Sequence, residues 1–120
     1  MPNISTIMHR HVVAIAKSAS LETAIKLMKR NRISLLPVVD GEVLVGILEE
    51  ESVPSGKGSV EEKMKEPFFV LEDDDIDQAS KIMLDKHVTR VPVVNNKKEM
   101  KLIGIVTSTD VASAIKMGIE

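Results

Sequence analysis

Seven residues near the C-terminal end, Gly104-Ile105-Val106-Thr107-Ser108-Thr109-Asp110, place three hydroxyls and a carboxylate at what reads as the start of a helix. The free N–H groups of a helix start favour anions, and side chains this short let an anion approach the backbone. Thr107-x-x-Asp110 is equally a plain helix capping box, with Thr107 as cap and Asp110 at the third position. Other chemistry-bearing residues lead less far. His9-x-His11 is half a metal site with no cysteine and no third ligand nearby in sequence. His87 reads as a polar residue flanking a strand. The acidic run Glu72–Asp75 suits the entry of a helix, where negative charge complements the dipole. There is no Ser/His/Asp set, no G-x-x-x-x-G-K-(S/T) and no H-E-x-x-H. The pattern predicts no enzyme, no catalytic residue and no metal.

Composition narrows the partners. Hydrophobic residues are 43% and charged residues 28% of the 120, ordinary for a globular chain. The aromatics are Phe68 and Phe69, too few for stacking nucleic-acid bases, and a net charge of −2 with interspersed signs argues against a phosphate-backbone binder. Without cysteine there is neither a disulfide framework nor a thiolate site. No apolar run reaches membrane-spanning length and no signal core opens the chain, so a cytoplasmic location is expected.

The halves repeat. Leu21–Asp40 (LETAIKLMKRNRISLLPVVD) lies over Ile76–Asn95 (IDQASKIMLDKHVTRVPVVN), with Ala24 and Ala79, Met28 and Met83, and Pro37 and Pro92 each 55 positions apart. Val45–Leu48 (VGIL) matches Ile103–Val106 (IGIV) 58 apart, the extra three residues falling in the turn Asn95–Met100. Upstream, Val12–Ile15 matches Pro67–Val70. The boundaries read as repeat one at 1–53, a Gly/Ser-rich linker at 54–59, and repeat two at 60–120.

Val12–Ile15 and Phe68–Leu71 predict short strands. Ser20 and Asp75 predict N-caps, Asp75 in a capping box with Gln78. Leu21, Ala24, Ile25 and Met28, and Ile76, Ala79, Ile82 and Met83, predict helices with one apolar stripe each. Pro37 and Pro92 predict strand starts, and Asp40-Gly41 a hairpin into Val43–Leu48. Ser59 with Glu62 predicts a capping box for a short helix into Met64. A closing helix is legible in repeat two, Thr109 to Met117 with Gly118 as stop, while Pro54 interrupts its counterpart in repeat one. Each unit is therefore strand, helix, strand, strand, helix. The fold class is α/β (α+β), with two pseudo-twofold-related units too small for separate cores and packed as one compact module.

The doubled pattern A-x-x-x-M…(I/V)-(S/T)-x-x-P-V-V…G-I-(V/L) resembles the CBS domain, and its tandem occurrence resembles the CBS pair, or Bateman module. The resemblance covers nearly the whole chain. It implies a regulatory module that senses AMP, ADP, ATP or S-adenosyl compounds in clefts between repeats and needs no cofactor for catalysis. It assigns Ile105, Thr107, Thr109 and Asp110 to nucleotide binding, facing Val13, Ile33, Ser34, Leu35 and Pro37 of the other repeat. Asp110 would accept the ribose hydroxyls, the two threonines contact phosphate, and Ile105, Val13 and Ile33 sandwich the base. An ionised carboxylate accepts only, which suits a vicinal diol.

The second cleft would take Phe68, Val88, Thr89 and Arg90 but departs from the pattern. Glu49 stands for the phosphate-contacting threonine and Ser52 for the aspartate, so it is expected to be weak or empty. The resemblance further implies a homodimer associating through its helices and a regulated effector protein. The alternative is a ligand-free interaction or dimerisation module in which Asp110 is only a cap.

Overall fold

The computed structural model describes residues 3–116; Met117 and Gly118, the expected end of the last helix, lie outside them. The chain forms two compact units, one of residues 3–12 with 68–116 and one of residues 13–67. The N-terminal segment thus belongs with the second repeat's strands and helices, not with those next to it in sequence.

The 13–67 unit holds β1 (Ile15–Ala16), α2 (Leu21–Asn31), β2 (Leu35–Asp40), β3 (Val43–Glu49), a 3-10 turn at Glu50–Ser52 and α3 (Val60–Lys63). The other holds α1 (Ile4–Ile7), β4 (Val70–Leu71), α4 (Ile76–Lys86), β5 (Arg90–Val94), β6 (Leu102–Thr107) and α5 (Ser108–Lys116). Each unit has a three-stranded sheet, β1-β2-β3 or β4-β5-β6, whose first pair is parallel and whose second is antiparallel. The parallel pair is joined through α2 or α4, as a parallel pair requires a crossover. The expected strand, helix, strand, strand order holds, and the mixed α/β class with it.

The apolar stripes become the cores. Leu21, Ala24 and Met28 of α2 pack with Ile15, Leu36, Val38, Leu48, Val53 and Val60. Ile76, Ala79 and Met83 of α4 pack with Val70, Val91, Val93, Val106, Val111 and Ala114, joined by Ile4 and Met8 from the N-terminal segment. Burying each large side chain contributes about 1.5–3 kcal/mol, which is what orders helices of 11 residues that are marginal alone.

Four local expectations are corrected. The first strand of each unit is only two residues long, Ile15–Ala16 and Val70–Leu71, because only those pair with β2 or β5. Pro37 and Pro92 do not open strands; each is the third residue of one that begins at Leu35 or Arg90. Asp75 caps α4 by accepting from the Asp77 amide at 3.0 Å, instead of a box with Gln78. His87 is not simply strand-flanking: it ends α4 in the left-handed conformation at φ 57°, as Arg32 ends α2 at φ 55°. Those positions usually fall to glycine or asparagine.

Other caps stand as read. Ser20 Oγ accepts from the Thr23 amide at 3.2 Å. Ser59 and Glu62 form the reciprocal box on α3; hydrogen bonds from the Ser59 hydroxyl and then its amide hold the Glu62 carboxyl below the usual range. The first hairpin turns through Gly41 at φ 65°, with Asp40 opposite Val43. The longer second turn is held by Asn95 Oδ1, which accepts from the Asn96 and Lys101 amides.

Candidate functional site

The prolines are admitted by what lies on the outer edge of β3 and β6. Pro92 faces Ile105 across the ladder, yet the Ile105 amide and carbonyl point the other way. They pair with the carbonyl and amide of His9 at 2.9 and 2.8 Å. Pro37 faces Ile47, whose amide and carbonyl pair likewise with Lys65 at 3.0 and 2.8 Å. Neither proline is asked for the N–H it lacks.

A methionine precedes each edge residue. A Cβ on Gly104 would lie 2.6 Å from Met8 Sδ and 3.0 Å from the His9 carbonyl oxygen; one on Gly46 would lie 2.7 Å from Met64 Sδ and 3.1 Å from the Lys65 oxygen. The glycine of each G-I-(V/L) motif is therefore a close-approach glycine.

In the unit that contains α5, this edge brings a side chain to the helix start. The Ser108 amide donates to the Thr89 carbonyl at 2.8 Å, fixing where α5 begins. Asp110 Oδ2 accepts from the Thr107 amide at 2.8 Å and from its hydroxyl at 2.9 Å, and the Asp110 amide donates to Thr107 Oγ1 at 3.2 Å. The capping box is thus formed. The second carboxylate oxygen, Oδ1, lies 2.8 Å from His9 Nε2. Since an ionised carboxylate only accepts, Nε2 carries the proton of that bond. Asp110 is 14% exposed and His9 62%, so the inner partner is fixed and the outer one is free to swing.

Of the sequence-assigned residues, Ile105, Thr107, Thr109 and Asp110 share this unit with Phe68, Val88, Thr89 and Arg90. Ile105 is buried, Thr107 half-buried and Thr109 exposed. Arg90 is register partner of Thr107. Phe68 and Val88 pack against the core. Val13, Ile33, Ser34, Leu35 and Pro37 belong to the 13–67 unit. There Val13 and Ile33 pack against the core, Leu35 and Pro37 are buried, and Ser34 is exposed.

The 13–67 unit repeats the frame with different chemistry. The Glu50 amide donates to the Ser34 carbonyl at 2.8 Å, as Ser108 does to Thr89. Beyond it the chain makes one 3-10 turn, Glu50–Ser52, that ends at buried Val53 before Pro54. Glu49 is register partner of Leu35 and pairs with Lys65 Nζ at 3.3 Å.

Sequence reading missed His9 and Lys65 as site residues. A signal was available: Ile4 and Val60, Met8 and Met64, and His9 and Lys65 are each 56 positions apart, so the repeat extends upstream of Val12. Among the described residues no cluster of three or more His, Cys, Asp or Glu could hold a metal, and no helix is long and apolar enough to cross a membrane.

Two mixed three-stranded units with matched edges and glycines describe a tandem of one domain type. The CBS-domain profile matches residues 4–53 and 60–117, and the chain belongs to that family, carrying the domain twice. Inosine-5'-monophosphate dehydrogenase of Korarchaeum cryptofilum is 37% identical over 106 residues, covering 85% of this chain but 22% of that protein. The chain therefore spans about a fifth of the length of this relative. Among solved structures, CBSX2 in complex with AMP superposes with a TM-score of 0.84 at 23% identity over 100% of both chains. The CBS domain pair of protein MJ0100 in complex with 5'-methylthioadenosine and S-adenosyl-L-methionine gives 0.77 at 27% identity, covering 98% of each.

Proposed function

We propose that the chain is a regulatory module that binds an adenine nucleotide, AMP, ADP, ATP or an S-adenosyl compound, and transmits occupancy to an effector protein. The observation that carries the reading is the intact Gly104–Asp110 segment, with the Asp110 carboxylate held at the first turn of α5. A fixed acceptor-only group beside three short hydroxyl side chains suits a ribose diol followed by phosphate. That two solved relatives hold AMP or S-adenosyl ligands supports the same class. Val13, Ile33, Ser34, Leu35 and Pro37 stay with the proposal on the family resemblance alone. Regulation would act by population shift, the ligand favouring one arrangement of the module over another. Self-association belongs to the same proposal, through the helix faces that carry Leu84 and Ile115, 78% and 52% exposed.

Calorimetry with AMP, ATP and S-adenosylmethionine tests the reading. At least one should bind, and Asp110→Ala should weaken it tenfold or more, about 1.4 kcal/mol. Because Asp110 also caps α5, the variant's circular dichroism is recorded alongside. Unchanged affinity in a folded Asp110→Ala protein would sink the assignment.

A further inference from the structure

We infer that His9 is a positioning residue that competes with a nucleotide's ribose for Asp110, so that its protonation weakens binding. The inference rests on the adenine-nucleotide reading of Asp110. Both carboxylate oxygens are already engaged within one unit. Oδ2 is locked by the amide and hydroxyl of Thr107, while Oδ1 is held by an exposed imidazole. A ribose diol arriving at Asp110 finds Oδ1 as the oxygen whose partner can leave.

The backbone of His9 cannot leave with it. Two hydrogen bonds to Ile105 fix the residue on the edge of β6, and Met8 beside it is in the core. The ring can therefore swing away and return, but it stays beside the site.

Charge sets the strength of the latch. Histidine ordinarily changes charge between about pH 5 and 8. The neutral ring already donates a charge-assisted hydrogen bond to the ionised carboxylate; the imidazolium adds a Coulomb attraction, small for an exposed ring. Of the neighbouring elements, β5 brings Arg90, register partner of Thr107. β6 (LIGIVT) and α1 (ISTI) carry no charge, and α5 carries only Asp110 in its first turn and Lys116 in its last. Arg10 and His11 adjoin His9 on its own segment. In the other unit Lys65, 56 positions on, also pairs with a carboxylate, but that of Glu49, which stands where Thr107 does.

The test compares AMP affinity at pH 7.5 and 5.5 in the full chain, for wild type, His9→Gln and His9→Lys. Phosphate titrates near pH 6, but equally for all three proteins, so only differences between them are read. An exposed pair contributes little, and the wild-type dissociation constant should rise roughly two- to fivefold more than that of His9→Gln on acidification. Glutamine keeps a donor without a titration, whereas lysine should bind weakly at both pH values. Equal slopes for wild type and His9→Gln would overturn the latch while leaving the nucleotide site standing. A wild type that gains affinity at pH 5.5 relative to His9→Gln would also overturn it, by assigning the ring to phosphate. Failure of the wild type to bind AMP at either pH would overturn both readings.

Discussion

The two units share a frame and differ in what they hang on it. Each has a glycine under a methionine sulfur, a proline opposite an edge-bonded isoleucine, and a helix ended by a non-glycine residue in the left-handed region. Over that frame one unit places a capped aspartate at the start of a helix of 9 residues. The other places an ion-paired glutamate before a 3-10 turn of 3 residues. The backbone is thus held by packing that both units keep, and the chemistry is set by three or four polar positions that packing does not restrain. One unit can exchange those polar residues without losing its fold.

The largest effect should come from erasing that difference. Glu49→Thr with Ser52→Asp returns both polar groups, and frees Lys65 to meet a phosphate. Removing a like charge about 4 Å from a phosphate relieves roughly 4 kcal/mol at an effective dielectric near 20. Regaining the carboxylate adds about 1.5–3 kcal/mol. Nucleotide stoichiometry, read by calorimetry, should rise from one per chain to two. If the folded double variant still binds one, the short turn before Pro54 closes the site, and charge does not.

The legibility of the fold in the sequence tracks the range of each interaction. The helices were legible because Leu21, Ala24 and Met28, and Ile76, Ala79 and Met83, recur with local periodicity. The Asp40-Gly41 turn and the Ser59–Glu62 box were legible for the same reason. The first strands were legible but their bounds were not, since Ile15–Ala16 and Val70–Leu71 are set by pairing with distant partners. α1, four residues long, is too short for a periodic signal. The Thr107–Asp110 box was legible, but its contact with His9 spans 101 positions and leaves no local trace.

A second contrast lies on the surface. Among the described residues, the exposed large hydrophobics are Leu84 and Ile115, on α4 and α5 of one unit, and Val43 in the other. If a second copy covers α4, Leu84→Lys removes about 1.5–3 kcal/mol of burial per copy. Sedimentation velocity should then show the dimer dissociating at concentrations at least tenfold higher. The same change should leave AMP affinity unaltered, because the Leu84 side chain faces solvent and has no part in the Thr107–Asp110 box. A wild type that sediments as a monomer at micromolar concentration, with and without nucleotide, would end the dimer proposal.

The smallest effect tests the shared frame, where the units should behave alike. Gly104→Ala puts a methyl 2.6 Å from Met8 Sδ and 3.0 Å from the His9 carbonyl; Gly46→Ala does the same against Met64 and Lys65 at 2.7 and 3.1 Å. The thioether is the yielding end of a flexible side chain, so part of the clash relaxes. The carbonyl cannot yield as easily, because it accepts the amide of Ile105 or Ile47. Overpacking of this kind costs about 1–3 kcal/mol, and the two variants should lose similar stability in urea denaturation. Removing the sulfur as well separates the two causes. In a double-mutant cycle, Met8→Ala should itself destabilise, since Met8 is in the core, yet it should take back part of the Gly104→Ala penalty. A coupling of at least ~0.5 kcal/mol is expected for groups in contact. Strict additivity would mean that the carbonyl alone excludes the methyl.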